Sequence, residues 1–164
     1  MSFEIALSGV GIDVPDGWEA ELAWADGTPG PSDFSLSASS ATSGARVVAH
    51  LANFTMPSER GDYGSGAVEI MGTNGVFVSI LEFARSAEPG ALFGTVQGLP
   101  VDLKGSDFSP DQRQRRLPGQ SGLQRFFTVG ERRFVLYVVI GSHRLRDVLA
   151  PEVNRLLRRI QITA

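Results

Sequence analysis

The chain has 164 residues, 42% hydrophobic and 20% charged, which predicts one globular domain over residues 1–164 and excludes wholesale disorder. It has no cysteine, which rules out disulfides and thiol chemistry, and no apolar run near the about 18 residues that a transmembrane helix needs. The amino-terminal segment lacks the basic and apolar regions of a signal peptide, so we expect a cytoplasmic protein without membrane association.

The net charge of −3 hides an uneven distribution. Residues 1–111 carry 15 acidic and 4 basic residues, whereas residues 112–164 carry 3 acidic and 11 basic residues, all of them arginine. Either the two parts fold together and neutralise each other on the surface, or the arginines form a basic face for an anionic partner. The pI near 5.4 and the few aromatic residues near the arginines disfavour a nucleic acid as that partner.

The first two thirds of the chain predict strands joined by short loops. Residues 10–15 form a short strand that ends at a Pro15-Asp16-Gly17 turn, and apolar residues alternate with glutamates from Trp18 to Ala25, as in a half-buried strand. Core strands are predicted at 45–54 and 75–83, a weak strand at Phe34 and Leu36, an edge strand at 99–103, and either a short helix or a strand end at 65–71. Loops are predicted at 37–44, 57–64 and 89–98, the last with Leu92 and Phe93 as candidates for burial.

The strongest apolar pattern lies in residues 123–162. Phe134–Ile140 is an unbroken apolar run typical of a strand covered on both faces, and residues 123–129 are its hairpin partner, with Gly130 in the turn. A helix follows, for which we expect Ser142 to cap a short first turn and Pro151 to stand at the start. One stripe of this helix is apolar, and its other face is basic: the stripe comprises Leu149, Val153, Leu156, Leu157 and Ile160, and the basic face Arg155, Arg158 and Arg159.

This order of elements predicts an α+β fold. An antiparallel β-sheet of about six strands would carry the C-terminal helix packed on one face, with short helices elsewhere.

Several segments resemble the PsbP-like superfamily, which includes extrinsic subunits of photosystem II and a Ran-binding nuclear import factor. They are a short opening strand leading into Pro15-Asp16-Gly17-Trp18, the aromatic hairpin, and Val153-Asn154-Arg155-Leu156-Leu157 followed by Ile160-Gln161-Ile162. The resemblance implies an α/β/α sandwich, a role in protein binding and no shared catalytic residues. The arginine-rich, lysine-poor composition also resembles proteins of high-GC bacteria.

Residues capable of catalysis or metal binding form no recognised motif. His50 and His143 are the only histidines and have no metal-ligand spacing, so we expect neither a metal nor a cofactor. Ser65 and Ser121 lie among glycines, but neither is in a nucleophile elbow, and turn chemistry accounts for both. No catalytic residue is therefore assigned.

The sharpest local feature is the run of arginines at Arg113, Arg115 and Arg116, which Arg125 follows. Guanidinium groups on a loop can hold a carboxylate, a phosphate or the acidic face of a protein, although a solvated loop has the same sequence. We therefore expect a non-enzymatic protein-binding or accessory module that uses this basic surface for an acidic protein partner.

Two other functions stay open. One is a small-molecule enzyme with a carboxylate, Glu69, Glu82 or Asp107, in a pocket between sheet and helix. The other is a structural subunit of a larger assembly.

Overall fold

The computed structural model describes residues 1–25, 46–83, 96–112 and 116–164. Within these ranges the chain forms β-strands, an α-helix and short 3₁₀ helices, which confirms the predicted α+β class. The strands are β1 (Phe3–Leu7), β2 (Val10–Val14), β3 (Glu19–Trp24), β4 (Val47–Ala52), β5 (Val76–Phe83), β6 (Ser121–Val129), β7 (Arg132–Ile140) and β8 (Ile160–Ile162); the α-helix is α1 (Arg146–Leu157), and 3₁₀ helices cover Gly105–Asp107 and His143–Leu145.

Five strands form an antiparallel sheet in the order β3-β4-β5-β7-β6. The predicted hairpin supplies two of them, because β6 and β7 pair along their whole length. Gly130 in the hairpin turn has a φ of 59°, the left-handed conformation that a tight hairpin loop needs. Nearly all of β7 is buried, so the apolar run was correctly interpreted as a strand covered on both faces.

A second antiparallel sheet has the order β1-β2-β8, so the prediction of a single sheet with about six strands was wrong. Two strands of this smaller sheet have weak sequence patterns: β1 is mostly exposed, and β8 has only three residues. The position of the chain after α1, next to β2, is what completes this sheet. The N–H of Asp13 donates to the carbonyl of Arg159 (3.0 Å) and the N–H of Thr163 to that of Gly9 (2.9 Å), which holds the chain after α1 alongside β2.

Helix α1 buries four residues of the predicted apolar stripe, Leu149, Val153, Leu156 and Leu157, each 3% exposed or less. The helix ends at Leu157, so the prediction that Ile160, Arg158 and Arg159 belong to it was wrong; Ile160 is buried as the first residue of β8. The helix begins at Arg146, so the prediction that Pro151 stands at its start was wrong. The 3₁₀ turn at His143–Leu145 runs directly into the helix and places the proline in its interior. A proline has no N–H, so it cannot donate to the carbonyl of Asp147, four residues earlier. Asp147 is exposed to water. Ser142 precedes the 3₁₀ turn, but its side chain makes no capping hydrogen bond.

Two further predicted elements are absent from the described part of the chain. Residues 99–103 form no strand, because the backbone of Leu103 bonds to the side chain of Asn154 instead of to a strand. Residues 65–71 form neither a helix nor a strand end but consecutive turns, in which the N–H groups of Ala67 and Val68 both donate to the carbonyl of Gly64. The predictions at Phe34, Leu36, 37–44, Leu92 and Phe93 lie outside the described residues.

The two faces of the five-stranded sheet have different covers. The inner face packs against α1 and the three-stranded sheet in one continuous core. The outer face carries Phe77 and Tyr137, which pack against residues of the connection between β4 and β5. We call this connection, residues 53–75, the cover loop. None of the helices in the described ranges is long and apolar enough to cross a bilayer.

Candidate binding surface

Arg116 and Arg125, the two candidate arginines that the structure describes, pair with a short acidic segment beside the first residues of β6. Arg125 lies on β6 and pairs with Asp107 (3.3 Å), and Arg116 pairs with Asp111 (2.7 Å). Ser109, between the two aspartates, exchanges backbone hydrogen bonds of 2.9 Å with Gly122 of β6. Arg113 and Arg115 lie outside the described residues, so only Arg116 and Arg125 of the predicted set can be placed. We use "arginine surface" for the surface that carries Arg116 and Arg125, to which Arg113 and Arg115 are assigned from their place in the sequence.

The ion pairs of the fold follow the uneven charge distribution of the sequence. Among the described residues, five arginines from residues 112–164 bind carboxylates from residues 1–111, as expected if the two parts neutralise each other. The pairs are Arg116–Asp111, Arg125–Asp107, Arg132–Glu82, Arg158–Asp102 and Arg159–Asp13.

These pairs differ in solvent exposure. The side chains of Arg116 and Asp111 are 74% and 71% exposed, whereas those of Arg132 and Glu82 are 9% and 11% exposed. An exposed pair contributes about 0–1 kcal/mol and is screened by salt, so water or another carboxylate replaces it at little cost. The buried pair of Arg132 and Glu82 is much harder to separate than the exposed pair, because separation would leave a buried charge without a counter-ion.

Glu82, a carboxylate that the enzyme hypothesis could use, holds strands together. Both of its oxygens accept hydrogen bonds from Arg132, at 2.9 and 3.0 Å, and one also accepts from the N–H of Val47 (3.2 Å). Arg132 donates further to the carbonyl of Thr163 (3.0 Å), and its guanidinium lies 5.1 Å from the ring centre of Phe134. The pair therefore joins β4, β5 and β7 to the chain after β8.

The other two candidate carboxylates bind backbone N–H groups of local turns. Asp107 accepts from the N–H of Lys104 (2.8 Å), which closes a 3₁₀ turn, and it also pairs with Arg125. Glu69 is exposed and accepts from the N–H of Gly66 (2.5 Å). In each case the carboxylate has a structural partner that accounts for its position.

His50 lies on the outer face of the five-stranded sheet, 7% exposed, and contacts the cover loop. Its Nδ1 is 3.1 Å from Nε of Arg60, and its Nε2 is 2.9 Å from the carbonyl oxygen of Asp62. The same carbonyl accepts from the hydroxyl of Ser79 (2.6 Å), and Arg60 reaches Glu21 at 2.9 Å. We call these five residues the His50 cluster.

Burial changes the acid–base properties of two side chains in this region. The pKa of His50 lies below 6.5, chiefly because burial disfavours the charged ring; the Asp62 carbonyl opposes this effect and Arg60 adds to it. The pKa of Tyr63 is raised above 10.0, by burial and then by the charge of Asp62. The ring of Tyr63 packs edge-on against Tyr137, with centroids 5.4 Å apart.

Other possible reactive groups are dispersed. His143 lies in the 3₁₀ helix before α1, and Ser121 is the buried first residue of β6; the Nδ1 and Oγ atoms, respectively, have no hydrogen-bond partner. Ser65 lies in a turn between Gly64 and Gly66, both with positive φ. In the part of the chain that the structure describes, no three His, Cys, Asp or Glu side chains come together in a way that could hold a metal ion.

Sequence reasoning missed the His50 cluster, because its members come from β3, β4, β5 and the cover loop and are distant in sequence. The one available signal was a histidine within a predicted core strand, which argued for packing but did not identify Arg60 or Asp62 as its partners. No family model matches the chain, and no curated protein or solved structure is significantly similar to it.

Proposed function

We propose that this protein is a non-enzymatic binding module whose arginine surface contacts the acidic face of another protein. The observation that carries the proposal is the high exposure of Arg116, at 74%, in an ion pair with an equally exposed aspartate. Arg113 and Arg115 adjoin it in sequence, so three arginines fall within four consecutive residues.

Exchange of carboxylates is the physical basis of the proposed contact. Asp111 holds Arg116 through an exposed pair that contributes about 0–1 kcal/mol, so a carboxylate of a partner can take its place without a large loss. Arginine suits this exchange because its planar guanidinium binds both oxygens of a carboxylate. Arg125, 35% exposed and 3.3 Å from Asp107, extends the surface onto β6.

The positions of the carboxylates favour binding over catalysis. Glu82 is held by two hydrogen bonds from Arg132, and Asp107 closes a backbone turn. A general acid or base needs a carboxyl group that faces a substrate, whereas these two face guanidinium and backbone N–H groups of their own chain. The enzyme hypothesis also needs a pocket between helix and sheet, but apolar side chains such as Leu156, 1% exposed, pack there.

A distant PsbP-like relationship, with its α/β/α sandwich, is also part of the proposal. It is supported by the antiparallel five-stranded sheet, by α1 on one face, and by the Pro15-Asp16-Gly17-Trp18 motif at the turn between β2 and β3. An experimental structure tests it. An α-helix on the outer face of the sheet, formed by residues outside the described ranges, would support the relationship, and an outer face covered without any helix would contradict it.

The binding proposal is tested with a fluorescein-labelled oligoglutamate peptide, whose anisotropy reports binding. We expect the wild-type protein to bind the peptide more weakly as salt is added. The Arg113→Glu, Arg115→Glu, Arg116→Glu triple variant should lose about threefold to 150-fold in affinity, since each lost exposed ionic contact is worth roughly 0.2–1 kcal/mol.

A matched control has the same change in charge on exposed arginines elsewhere. Arg46, Arg144 and Arg155 are exposed, and changing all three to glutamate reverses the same number of charges. We expect this control to keep most of the affinity. Equal losses in both triple variants would mean that only net charge matters, and unchanged binding by the first variant would refute the arginine surface.

A further inference from the structure

The protonation state of His50 is fixed by its neighbours. An arginine Nε always donates, so the Nδ1 of His50, 3.1 Å away, must accept, and the ring hydrogen must be on Nε2. Nε2 then donates to the carbonyl of Asp62 at 2.9 Å. The contacts therefore require a neutral imidazole with one defined tautomer.

Protonation of the ring is incompatible with this arrangement. An imidazolium carries hydrogens on both nitrogens, so its Nδ1–H would face the Nε–H of Arg60 and two positive charges would meet in a site that is largely shielded from water. The contact with Asp62 would survive, but the one with Arg60 would not. Acid therefore breaks one of the two hydrogen bonds between His50 and the cover loop, the one to Arg60, and leaves the one to Asp62.

The partner of His50 in this bond is Arg60, a residue of the cover loop. It also donates to the carbonyl of Pro57 and pairs with Glu21 on β3, so it ties the first part of the cover loop to two strands. The N–H of Met56, nearby in sequence, donates to Glu19 (2.9 Å). The loop backbone folds on itself after Arg60, with Gly64 donating to the carbonyl of Gly61 (2.9 Å).

The aromatic side chains beneath this part of the loop pack tightly. The backbone of Gly64 lies so close to Phe77 that a β-carbon on this glycine would overlap the ring. Tyr63 covers Tyr137, and His50 itself lies against Phe77, with ring centroids 5.2 Å apart. Moving residues 56–66 away would expose these rings to water.

The second part of the loop has separate attachments that do not titrate. The side-chain amide of Gln120 donates to the carbonyl of Val68 (2.8 Å), and the N–H of Gly141 donates to the carbonyl of Gly75 (2.9 Å). The side chain of Asn53 bonds to the backbone of Asn74 and Val76. Residues 67–75 therefore have attachments that do not depend on the contact at His50.

We propose that the His50 cluster is a pH-sensitive lock that releases residues 56–66 in mildly acidic solution and exposes the aromatic outer face of the sheet. Among the described residues, the charged groups that face His50 are Glu21 from β3 and Arg60 and Asp62 from the loop; β5 contributes only Phe77 and Ser79, which do not titrate in this range. The lock works independently of the arginine surface.

The sign and size of the effect follow from linkage between protonation and loop release. The locked state holds the pKa of His50 below 6.5, so the released state binds more protons in acid, and release becomes more favourable as the pH falls through 6.5. The population of the released state rises by at most about tenfold for each pH unit below that value, or about tenfold between pH 7.5 and 5.5.

Hydrogen–deuterium exchange at about pH 7.5 and about pH 5.5, corrected for the intrinsic rate at each pH, measures release directly. We expect the protection of the amides of Met56, Gly61 and Gly64 to fall by up to about tenfold in acid, while the amides of β7 keep theirs. Unchanged protection of the loop relative to β7 would overturn the proposal.

Variants separate the lock from general acid destabilisation. His50→Gln keeps one acceptor and one donor but does not titrate, so we expect loop protection that is the same at both pH values. His143→Gln, the control at the other histidine, should keep the wild-type pH dependence. A pH response of the same size in His50→Gln would refute the role of His50.

A second measurement decides the matter even if the His50 variant folds poorly. Nitrogen-15 chemical shifts of the imidazole in the wild-type protein report its tautomer and charge. We expect a neutral ring protonated on Nε2 at about pH 7.5, and a charge that appears together with the loss of loop protection. A ring protonated on Nδ1, or one that becomes charged while the loop stays protected, would overturn the proposal.

Discussion

The buried pair of Glu82 and Arg132 allows a quantitative test of the fold. In Glu82→Ala the guanidinium of Arg132, 9% exposed, loses its two hydrogen bonds and its counter-charge. Leaving a buried charge unpaired costs about 3–5 kcal/mol, a large part of the about 5–15 kcal/mol that a domain of this kind has in total. We therefore expect Glu82→Ala to lower the free energy of unfolding by about 3–5 kcal/mol.

A double variant isolates the cost of the unpaired charge. In Glu82→Leu with Arg132→Met both charges are gone, and methionine can still pack on the ring of Phe134. The N–H of Val47 loses its acceptor, at about 1–3 kcal/mol, while replacing the pair with apolar side chains is often neutral or favourable. The double variant should therefore be more stable than Glu82→Ala.

Urea unfolding measures both variants, with the fluorescence of Trp18 and Trp24 and circular dichroism as independent probes. Coincident transitions would support a two-state analysis of the free energy. A loss below about 1 kcal/mol in Glu82→Ala, or a double variant less stable than the single one, would show that burial of this pair does not control stability as we describe.

Two other predictions concern helix α1. Asn154→Ala removes both hydrogen bonds to the backbone of Leu103, each 2.8 Å long, and should lower the free energy of unfolding by about 2 kcal/mol in urea titrations; a change under about 0.5 kcal/mol would contradict this role. Leu156→Asp places a charge at a position that is 1% exposed and should abolish cooperative thermal unfolding, whereas Val148→Asp, at a position that is 67% exposed, should leave the melting curve nearly unchanged. Native dichroism and melting in Leu156→Asp would mean that the helix is misplaced.

The sequence predicted those elements whose burial is continuous or periodic. The run Phe134–Ile140 has one apolar residue after another because β7 is covered on both faces, and the stripe through Leu149 and Val153 repeats with the helical period because one side of α1 meets the sheet. These patterns arise locally, so they could be recognised without knowing the rest of the fold.

Other elements depend on contacts that sequence does not display. β8 is a strand because the chain leaves α1 alongside β2, and residues 99–103 are not a strand because Asn154 bonds the backbone of Leu103. The start of α1 was misjudged because proline usually favours a first turn, while here the preceding 3₁₀ turn begins the helix earlier. In each case a distant or neighbouring partner outweighs the local preference.

The candidate site shows the same division. The arginines at 113, 115 and 116 were visible as a run, but the ion pairs of Arg116 with Asp111 and of Arg125 with Asp107 were not, since sequence does not show which carboxylate each arginine meets. Glu82 attracted attention as a possible catalytic group because sequence shows a carboxylate without showing its counter-ion. Its two bonds from Arg132 reveal a structural role instead.

Protein capture from native lysate tests the central claim most directly, with three baits: the wild-type protein, the triple variant at Arg113, Arg115 and Arg116, and the triple control at Arg46, Arg144 and Arg155. We predict an acidic protein that the wild type and the control retain, that salt releases, and that the first variant fails to capture. The same proteins retained in equal amounts by all three baits would contradict the claim that the arginine surface is where this protein meets its partner.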